Sequence, residues 1–209
     1  MSMKIKTIII AIMIFACSGI SAQEINLEQD FQSELKTKNE QVTSIKCEFT
    51  QTREISIIAE PVSKDGDFYF TKPNNMLLSF NDGDYIKMTE EWFEMKTADN
   101  VTTTKVSSNP MLRNLNSILS ACIIGDFNKM SRGFAVNYEE SATEWTITLI
   151  PQRGKAASKI SRIIIVFDKL DMSLNLLRME EKSGDYTAYS FSNKVFNIAV
   201  DTNIFNVTK

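Results

Sequence analysis

Side chains suited to nucleophilic or metal chemistry are scarce in this chain of 209 residues. It contains no histidine, so it cannot form a Ser-His-Asp triad, a Cys-His pair or an imidazole metal site. Its three cysteines, Cys17, Cys47 and Cys122, lack the spacing of metal ligands. We therefore expect a binding protein and not an enzyme, with no cofactor and no metal.

Three pairs of adjacent carboxylates are the remaining candidates for catalysis. They are Glu90 with Glu91, Glu139 with Glu140, and Glu180 with Glu181. Two acids can serve as general acid and general base, but short runs of charge usually lie in water. We interpret these pairs as solvated strand ends, which leaves an enzyme acting on lipids as a disfavoured alternative.

The first 22 residues have the pattern of a secretory signal peptide. Lys4 and Lys6 precede an apolar run over residues 8–17, and small residues follow up to Ala22. Cleavage after Ala22 would leave one domain over residues 23–209, exported to the periplasm. The alternative is lipidation at Cys17, although Phe15 fits a lipoprotein signal poorly.

The net charge and the two remaining cysteines limit the partners and the covalent structure. The charge of −3 argues against nucleic acids and anionic membrane surfaces as partners. Cys47 and Cys122 both fall on apolar faces of an exported chain, so a disulfide and two buried free thiols both stay open.

Strands with one buried face dominate the pattern. Alternation of apolar and polar residues predicts such strands. The apolar positions include Ile45, Cys47, Phe49, Phe68, Phe70, Met76, Leu78, Phe80, Trp145, Ile147 and Leu149. The predicted strands cover residues 45–58, 66–72 and 76–80. Further strands are predicted over residues 160–167, 174–181 and 186–191, and in the tail over residues 195–205. Hairpin signals such as Asp82-Gly83 indicate antiparallel pairing.

Two helices are predicted among these strands. Residues 26–44 have an amphipathic helical pattern. A second helix is expected to begin near Pro110 and to end before Gly125. Its wide apolar stripe contains Leu112, Leu115, Ile118, Leu119 and Ile123. The fold class is therefore α+β, mainly β, with an antiparallel sheet covered by helices on one face.

The abundance of flexible apolar side chains is compatible with a ligand cavity. The chain has 13 phenylalanines and 10 methionines, scattered over strands and connections. Methionine adapts to irregular apolar partners, and a curved sheet under an apolar helix can enclose a hollow. For any single phenylalanine or methionine, the alternative is that the side chain packs in a core without a cavity.

At the level of motifs, the chain resembles the LolA-type outer-membrane lipoprotein carriers. The likeness spans almost the whole mature chain and depends on the order and spacing of short elements. They are the first helix, Phe49-Thr50-Gln51, Gly66-Asp67-Phe68-Tyr69-Phe70-Thr71-Lys72-Pro73, Met76 to Phe80, Trp145 to Pro151, Gly184-Asp185, Phe191 and Phe205.

The resemblance implies an unclosed antiparallel β-barrel with a helical lid over a hydrophobic cavity. By similarity, acyl chains would contact Phe49, Phe68, Phe70, Met76, Leu78, Phe80, Trp145, Ile147 and Leu149. The lid would include Leu112, Leu115, Ile118, Leu119 and Ile123. Such a protein, expected to be a monomer, would take acylated lipoproteins from an inner-membrane transporter and deliver them to an outer-membrane acceptor.

One residue departs from the family pattern. Members of the family have an arginine that latches the lid before the strand-ending proline, where this chain has Lys72. Lysine keeps the charge but lacks the planar bidentate guanidinium. We expect Lys72 to point toward the cavity and to form a weaker latch, or else to extend along the rim.

Two other functions are compatible with the same fold. An outer-membrane lipoprotein acceptor would be lipidated at Cys17. A regulatory module that senses lipids or lipoproteins would bind a partner protein and show no transfer between membranes.

Overall fold

The computed structural model describes residues 26–58, 60–108, 110–124 and 133–208. The predicted signal peptide over residues 1–22, including Cys17, lies outside these ranges, as does Gly125. The boundaries of the single domain stay a prediction.

One antiparallel sheet of eleven strands forms most of the molecule. The strands are β1 (Ser44–Glu54), β2 (Val62–Thr71), β3 (Asn75–Phe80), β4 (Tyr85–Met88), β5 (Trp92–Thr97), β6 (Asn100–Lys105), β7 (Phe134–Glu140), β8 (Glu144–Pro151), β9 (Ile160–Asp168), β10 (Leu174–Glu181) and β11 (Tyr186–Phe196). Their order is β6-β5-β4-β3-β2-β1-β11-β10-β9-β8-β7. Because β6 and β7 are edges that do not pair, the sheet is an unclosed barrel, which confirms the predicted fold class.

Three α-helices and two short 3-10 helices accompany the sheet in the described residues. The helices are α1 (Leu27–Asn39), α2 (Pro110–Ile124) and α3 (Gly154–Lys159), and the 3-10 segments are Val106–Ser108 and Thr202–Phe205. Asn26 begins α1 because its side chain accepts a hydrogen bond from the Gln29 amide at 3.2 Å. Helix α2 lies in the connection between the two edge strands and covers the hollow side of the sheet.

The tail and one hairpin differ from the sequence-based expectation. Strand β11 ends at Phe196, and the predicted tail strand is replaced by the second 3-10 helix. Asp201 starts this helix because its carboxylate accepts from the Asn203 amide at 3.0 Å. Strand β1 ends at Glu54 instead of residue 58, since the chain turns where the Ile58 amide donates to the Ile55 carbonyl at 2.8 Å.

The buried apolar side chains form two clusters. In the first, α1 packs on β7–β10, and the Phe31 ring lies 5.6 Å from Trp145 and 5.2 Å from Phe167 between centroids. The second cluster lies on β1–β4 around Phe49 and Phe70. Leu119 of α2 contacts both clusters, as does Phe191 of β11. The hollow of the sheet therefore lies between two packed cores.

Candidate functional site

An apolar cavity lies between the sheet and α2. Its volume is about 100 Å³. Phe68, Met76 and Leu78 line it from β2 and β3, and Leu119 and Cys122 line it from α2. The alternation of β2 and β3 produces this wall, because Phe68 pairs with Leu78 and Phe70 with Met76 across the two strands.

The nine residues predicted to contact acyl chains fall into three groups, two of which lie on β1–β3 near the cavity. Phe68, Met76 and Leu78 line the cavity. Phe49, Phe70 and Phe80 are buried in the same cluster but do not line the cavity.

Trp145, Ile147 and Leu149 are fully buried in the other cluster. Phe31 of α1 packs against Trp145, whose indole Nε1 donates to Glu34 Oε2 at 3.0 Å. The contacts of these three residues are thus with the core under α1, and the role of all nine positions in binding stays a prediction.

Helix α2 contributes lining residues to two neighbouring hollows. Leu119 lines the first cavity, and Ile118 lines a second of about 290 Å³. Leu112 is half-buried, whereas the side chains of Leu115 and Ile123 lie outside the described ones.

The second hollow adjoins the first. Both are lined by Ile86, Leu177 and Tyr189, which stand between them. The Tyr189 hydroxyl accepts a hydrogen bond from Gln51 Nε2 at 2.6 Å, and burial raises its pKa above the ordinary value. Rotation of these three side chains would join the hollows into one longer channel.

Lys72 fastens the first helix in this conformation. It is exposed and does not line the cavity. Its ammonium donates to the carbonyl oxygens of Asn39 at 3.0 Å and Glu40 at 3.2 Å, at the C-terminus of α1. A cation is favourable there because the last carbonyls of a helix carry partial negative charge. The proposed contact between Lys72 and the lid stays a prediction.

A different residue of the same turn contacts the lid. Asn74 lies two residues after Lys72, and its Oδ1 accepts a hydrogen bond from Ser120 Oγ of α2 at 2.7 Å. Sequence reasoning missed this pair. The available signal was the amide side chain in a turn after Pro73, together with a hydroxyl within an otherwise apolar helix.

The two thiols of the described chain are free and buried at the cavity. Cys47 of β1 and Cys122 of α2 both line it. Burial raises the pKa of Cys47 to about 12, against the attraction of Lys194, and it also raises the pKa of Cys122. Both thiols therefore stay protonated and inert at neutral pH.

One carboxylate of each acidic pair forms an ion pair. Glu180 lies 2.6 Å from Arg162 Nε and 2.9 Å from Arg178 Nε, and the hydrogen bond from Arg162 lowers its pKa. Glu140 pairs with Lys169, and Glu91 pairs with Lys105 at 3.5 Å. The lowered pKa of Glu180 favours its ionised form. Among the described residues, no group of His, Cys, Asp or Glu has the arrangement of a metal site.

An open curved sheet whose hollow is closed by a helix is the architecture of a protein that binds apolar ligands. The family model described as outer membrane lipoprotein carrier protein LolA matches residues 40–208. The chain therefore belongs to the LolA family, a family of carrier proteins. This confirms the resemblance seen in the motifs.

Solved structures share the fold at low identity. A domain from Vibrio parahaemolyticus named for outer membrane lipoprotein sorting is 12% identical, with a TM-score of 0.51 over 87% of this chain and 97% of that chain. A conserved protein from Thermus thermophilus is 7% identical, with a TM-score of 0.53 over 87% of this chain and 94% of that chain. No curated protein matches the sequence. None of the helices described is both long and apolar enough to cross a bilayer.

Proposed function

We propose that this protein is a periplasmic carrier that binds the acyl chains of lipoproteins and moves them from the inner to the outer membrane. The observation that carries the proposal is the apolar cavity under α2 in a chain of the LolA family. An inner-membrane transporter would load the carrier and an outer-membrane acceptor would unload it.

The size of the cavity requires that loading opens the molecule. Pockets that bury small ligands usually have about 300–1,000 Å³, whereas the first cavity has about 100 Å³. Joining it to the second hollow, of about 290 Å³, gives space for an extended chain. Movement of Leu119 with α2 would widen both.

Acyl burial supplies energy for this opening. Each buried methylene contributes about 0.8 kcal/mol, so one long acyl chain supplies on the order of 10 kcal/mol. The hydrogen bond between Ser120 and Asn74 opposes opening with about 1 kcal/mol, and the buried apolar contacts of Ile118 and Cys122 oppose it further. A ligand can shift the lid only by its differential affinity for the open state, and an acyl chain that fits only the open channel supplies that difference.

A comparison of lipidated and delipidated forms of one lipoprotein tests the proposal. We expect only the lipidated form to bind. Leu119→Trp fills the cavity from the lid and should abolish this binding. Ile150→Trp is the matched control, because Ile150 is 44% exposed and does not line either hollow. Equal binding of the two forms of the lipoprotein would refute the carrier function.

Transfer between membranes is the second part of the test. The loaded protein should deliver lipoprotein from inner-membrane to outer-membrane vesicles and remain in solution afterwards. Intact-mass measurement of the exported protein should show cleavage after Ala22, which removes Cys17, and no acyl chain. An acylated mass would instead identify a membrane-anchored acceptor.

A further inference from the structure

A lysine lies in the lining of the apolar cavity. Lys194 of β11 lines it together with Ser173, which is buried and accepts a hydrogen bond from the Lys194 ammonium at 2.7 Å. Most of the remaining lining is apolar and includes Phe68, Met76 and Leu177. A purely hydrocarbon ligand would not require a cation in such a lining.

A β-bulge turns this lysine inward. Lys46 pairs with Val195 and Glu48 pairs with Ser192, so Cys47 alone faces two residues of β11. Asn193, the extra residue, has a left-handed φ of 52°. Bulges of this kind change which face of the sheet a side chain occupies.

The alternation along β11 shows the effect of the bulge. Tyr189 and Phe191 line the cavity before it, and Lys194 and Phe196 line it after it. Without the extra residue, Lys194 would share the outer face with the exposed Ser192. The chain therefore places the ammonium in the cavity through its backbone, and not through the flexibility of a surface side chain.

A second shift in strand register, on β10, lies beside the residues that accept hydrogen bonds from the Lys194 ammonium. Leu174 pairs with Phe167 and Leu176 with Val166, which leaves Asn175 as an extra residue. Lys194 Nζ donates to Asn175 Oδ1, and to Ser173 Oγ at 2.7 Å.

An ammonium has three donors, and these two neutral oxygens are its hydrogen-bond partners among the residues described. No carboxylate of the described chain lies within ion-pair distance of it. A half-buried cation thus has one donor left and no direct counter-ion. Burial lowers its pKa, although the charges of Asp171 and Asp168 oppose this.

From this geometry we infer that the cavity has an anion subsite at Lys194 and takes an acyl ligand with a free carboxylate, such as a fatty acid. The carboxylate would accept from Lys194, and the chain would run along β11 past Phe191 and Tyr189. Thr187 lines the second hollow, and the distance from Lys194 to it is roughly 20 Å along the strand. This inference depends on the proposed acyl binding and adds a second ligand class to it, because the ester- or amide-linked acyl chains of a lipoprotein have no free carboxylate.

The charge of the site favours a carboxylate over a phosphate. One ammonium compensates one negative charge. Asp168 and Asp171 lie near enough to influence the pKa of Lys194, so they would repel the second charge of a phosphate monoester.

Titration calorimetry with dodecanoate, dodecanol and dodecyl phosphate tests the subsite, because these ligands share one chain and differ in the head group. The wild type should bind dodecanoate about ten- to a hundredfold more tightly than dodecanol, as expected for a hydrogen bond to a charged group. Lys194→Met should remove this preference, so that the two ligands bind with similar affinity, whereas Lys194→Arg should retain it.

Lys46→Met is the matched control for the loss of one positive charge. Lys46 lies on the neighbouring strand, with its ammonium 5.4 Å from the centre of the Tyr69 ring, and does not line the cavity. Its loss should leave the preference for dodecanoate intact. If the preference for dodecanoate over dodecanol fell equally in Lys194→Met and Lys46→Met, it would reflect the net charge of the protein, and the subsite would be overturned.

The wild-type comparison decides the inference even if a variant does not fold. Dodecanol and dodecanoate binding equally would overturn the subsite and leave the acyl cavity in place. If dodecyl phosphate bound more tightly than dodecanoate, the inference that the subsite takes a carboxylate would be overturned. Failure of all three ligands to bind would overturn the proposed acyl binding and the subsite together.

Discussion

Gly66 shows how a single residue sets the close packing of the cavity wall. It lies on β2 between Phe49 of β1 and Phe80 of β3. A Cβ at this position would stand 2.1 Å from the Ser79 carbonyl oxygen and 2.9 Å from Phe49 Cε1. Only glycine lets the three strands approach this closely, because the nearest obstacle is backbone and cannot rotate away.

Gly66→Ala should therefore lower the free energy of unfolding by about 3 kcal/mol, the upper part of the range for overpacked cores. Urea denaturation measures the change. Gly133→Ala is the control, since a Cβ there would meet nothing within 4 Å and should leave the stability nearly unchanged. Equal stabilities of the two variants would contradict this account of β2.

Glu94 is a fully buried carboxylate that holds the C-terminal tail. It accepts hydrogen bonds from Tyr85 at 2.9 Å, from Thr103 at 3.1 Å and from the Thr208 amide, and Lys87 lies 3.4 Å away. Burial acts to raise its pKa, but these hydrogen bonds and Lys87 outweigh burial, so the pKa lies below the ordinary value of 4.5. Its ionised form therefore stabilises the folded state.

Glu94→Gln should cost about 1–3 kcal/mol at pH 7, because buried partners lose a charged acceptor. A lowered folded-state pKa contributes stability above the unfolded pKa and loses it as the pH falls through the folded pKa. The difference in the free energy of unfolding between wild type and Glu94→Gln should thus be constant from pH 7 to about 4.5 and should shrink in more acidic solution. Urea unfolding at several pH values checks this, and a difference that grows with acidity would refute it.

Two polar contacts at one turn hold two different helices. Lys72 bonds the last carbonyls of α1, whereas Asn74 bonds Ser120 of α2. The turn between β2 and β3 is therefore the place where both helices are attached to the sheet. Lys72 lies next to the contact with the lid but does not form it in this conformation.

Lys72→Met should increase hydrogen exchange in the last turn of α1, and Ser120→Ala should increase it in α2. Each variant serves as the control for the other. The expected loss is about 0.5–1.5 kcal/mol of local stability for Ser120→Ala and no more than this for Lys72→Met, because Lys72 is exposed to water. Mass spectrometry of exchanged peptides over residues 27–40 and 110–124 measures both. Increased exchange in α2 of the Lys72 variant would instead support the predicted latch on the lid.

At the scale of the whole molecule, the apolar side chains form two cores joined by few residues. α1 packs on one core, while Leu119 and Phe191 contact both. In the proposed carrier we expect α2 to move away at this junction while the continuous sheet keeps both cores packed. The cavity of about 100 Å³ would then belong to the empty state.

The two buried thiols report on this opening. Cys47 and Cys122 should react with iodoacetamide at pH 8 at least tenfold more slowly than in the urea-unfolded chain, because burial both excludes the reagent and raises their pKa values. Leu119→Ala removes a side chain that contacts both clusters, and it should therefore speed the reaction of both thiols. Mass spectrometry of the alkylated chain follows each site. Reaction of the folded wild type as fast as the unfolded chain would show that the cavity is already open.

Local patterns were enough to predict most elements. The strands around Phe49, Phe68 and Met76 and the apolar α2 follow from periodicity, because one buried face imposes it on each element alone. The edge strand β6, Asn100–Lys105, was missed, since its threonine run has no alternating apolar face. The tail strand was predicted wrongly because a single capping residue, Asp201, decided the outcome.

By itself, the sequence determined the mainly β class, the lid helix and the family, because these depend on local periodicity and on the order of motifs. The tertiary structure alone decided which apolar side chains face the hollow. Phe68, Met76 and Leu78 line the cavity, while Trp145 and its neighbours are covered by α1. It also decided that Lys194 points inward, because a bulge opposite Cys47 reverses the alternation. Whether an apolar side chain is buried or lines a cavity depends on which other element packs against its face of the strand or helix. That contact exists only in the complete fold.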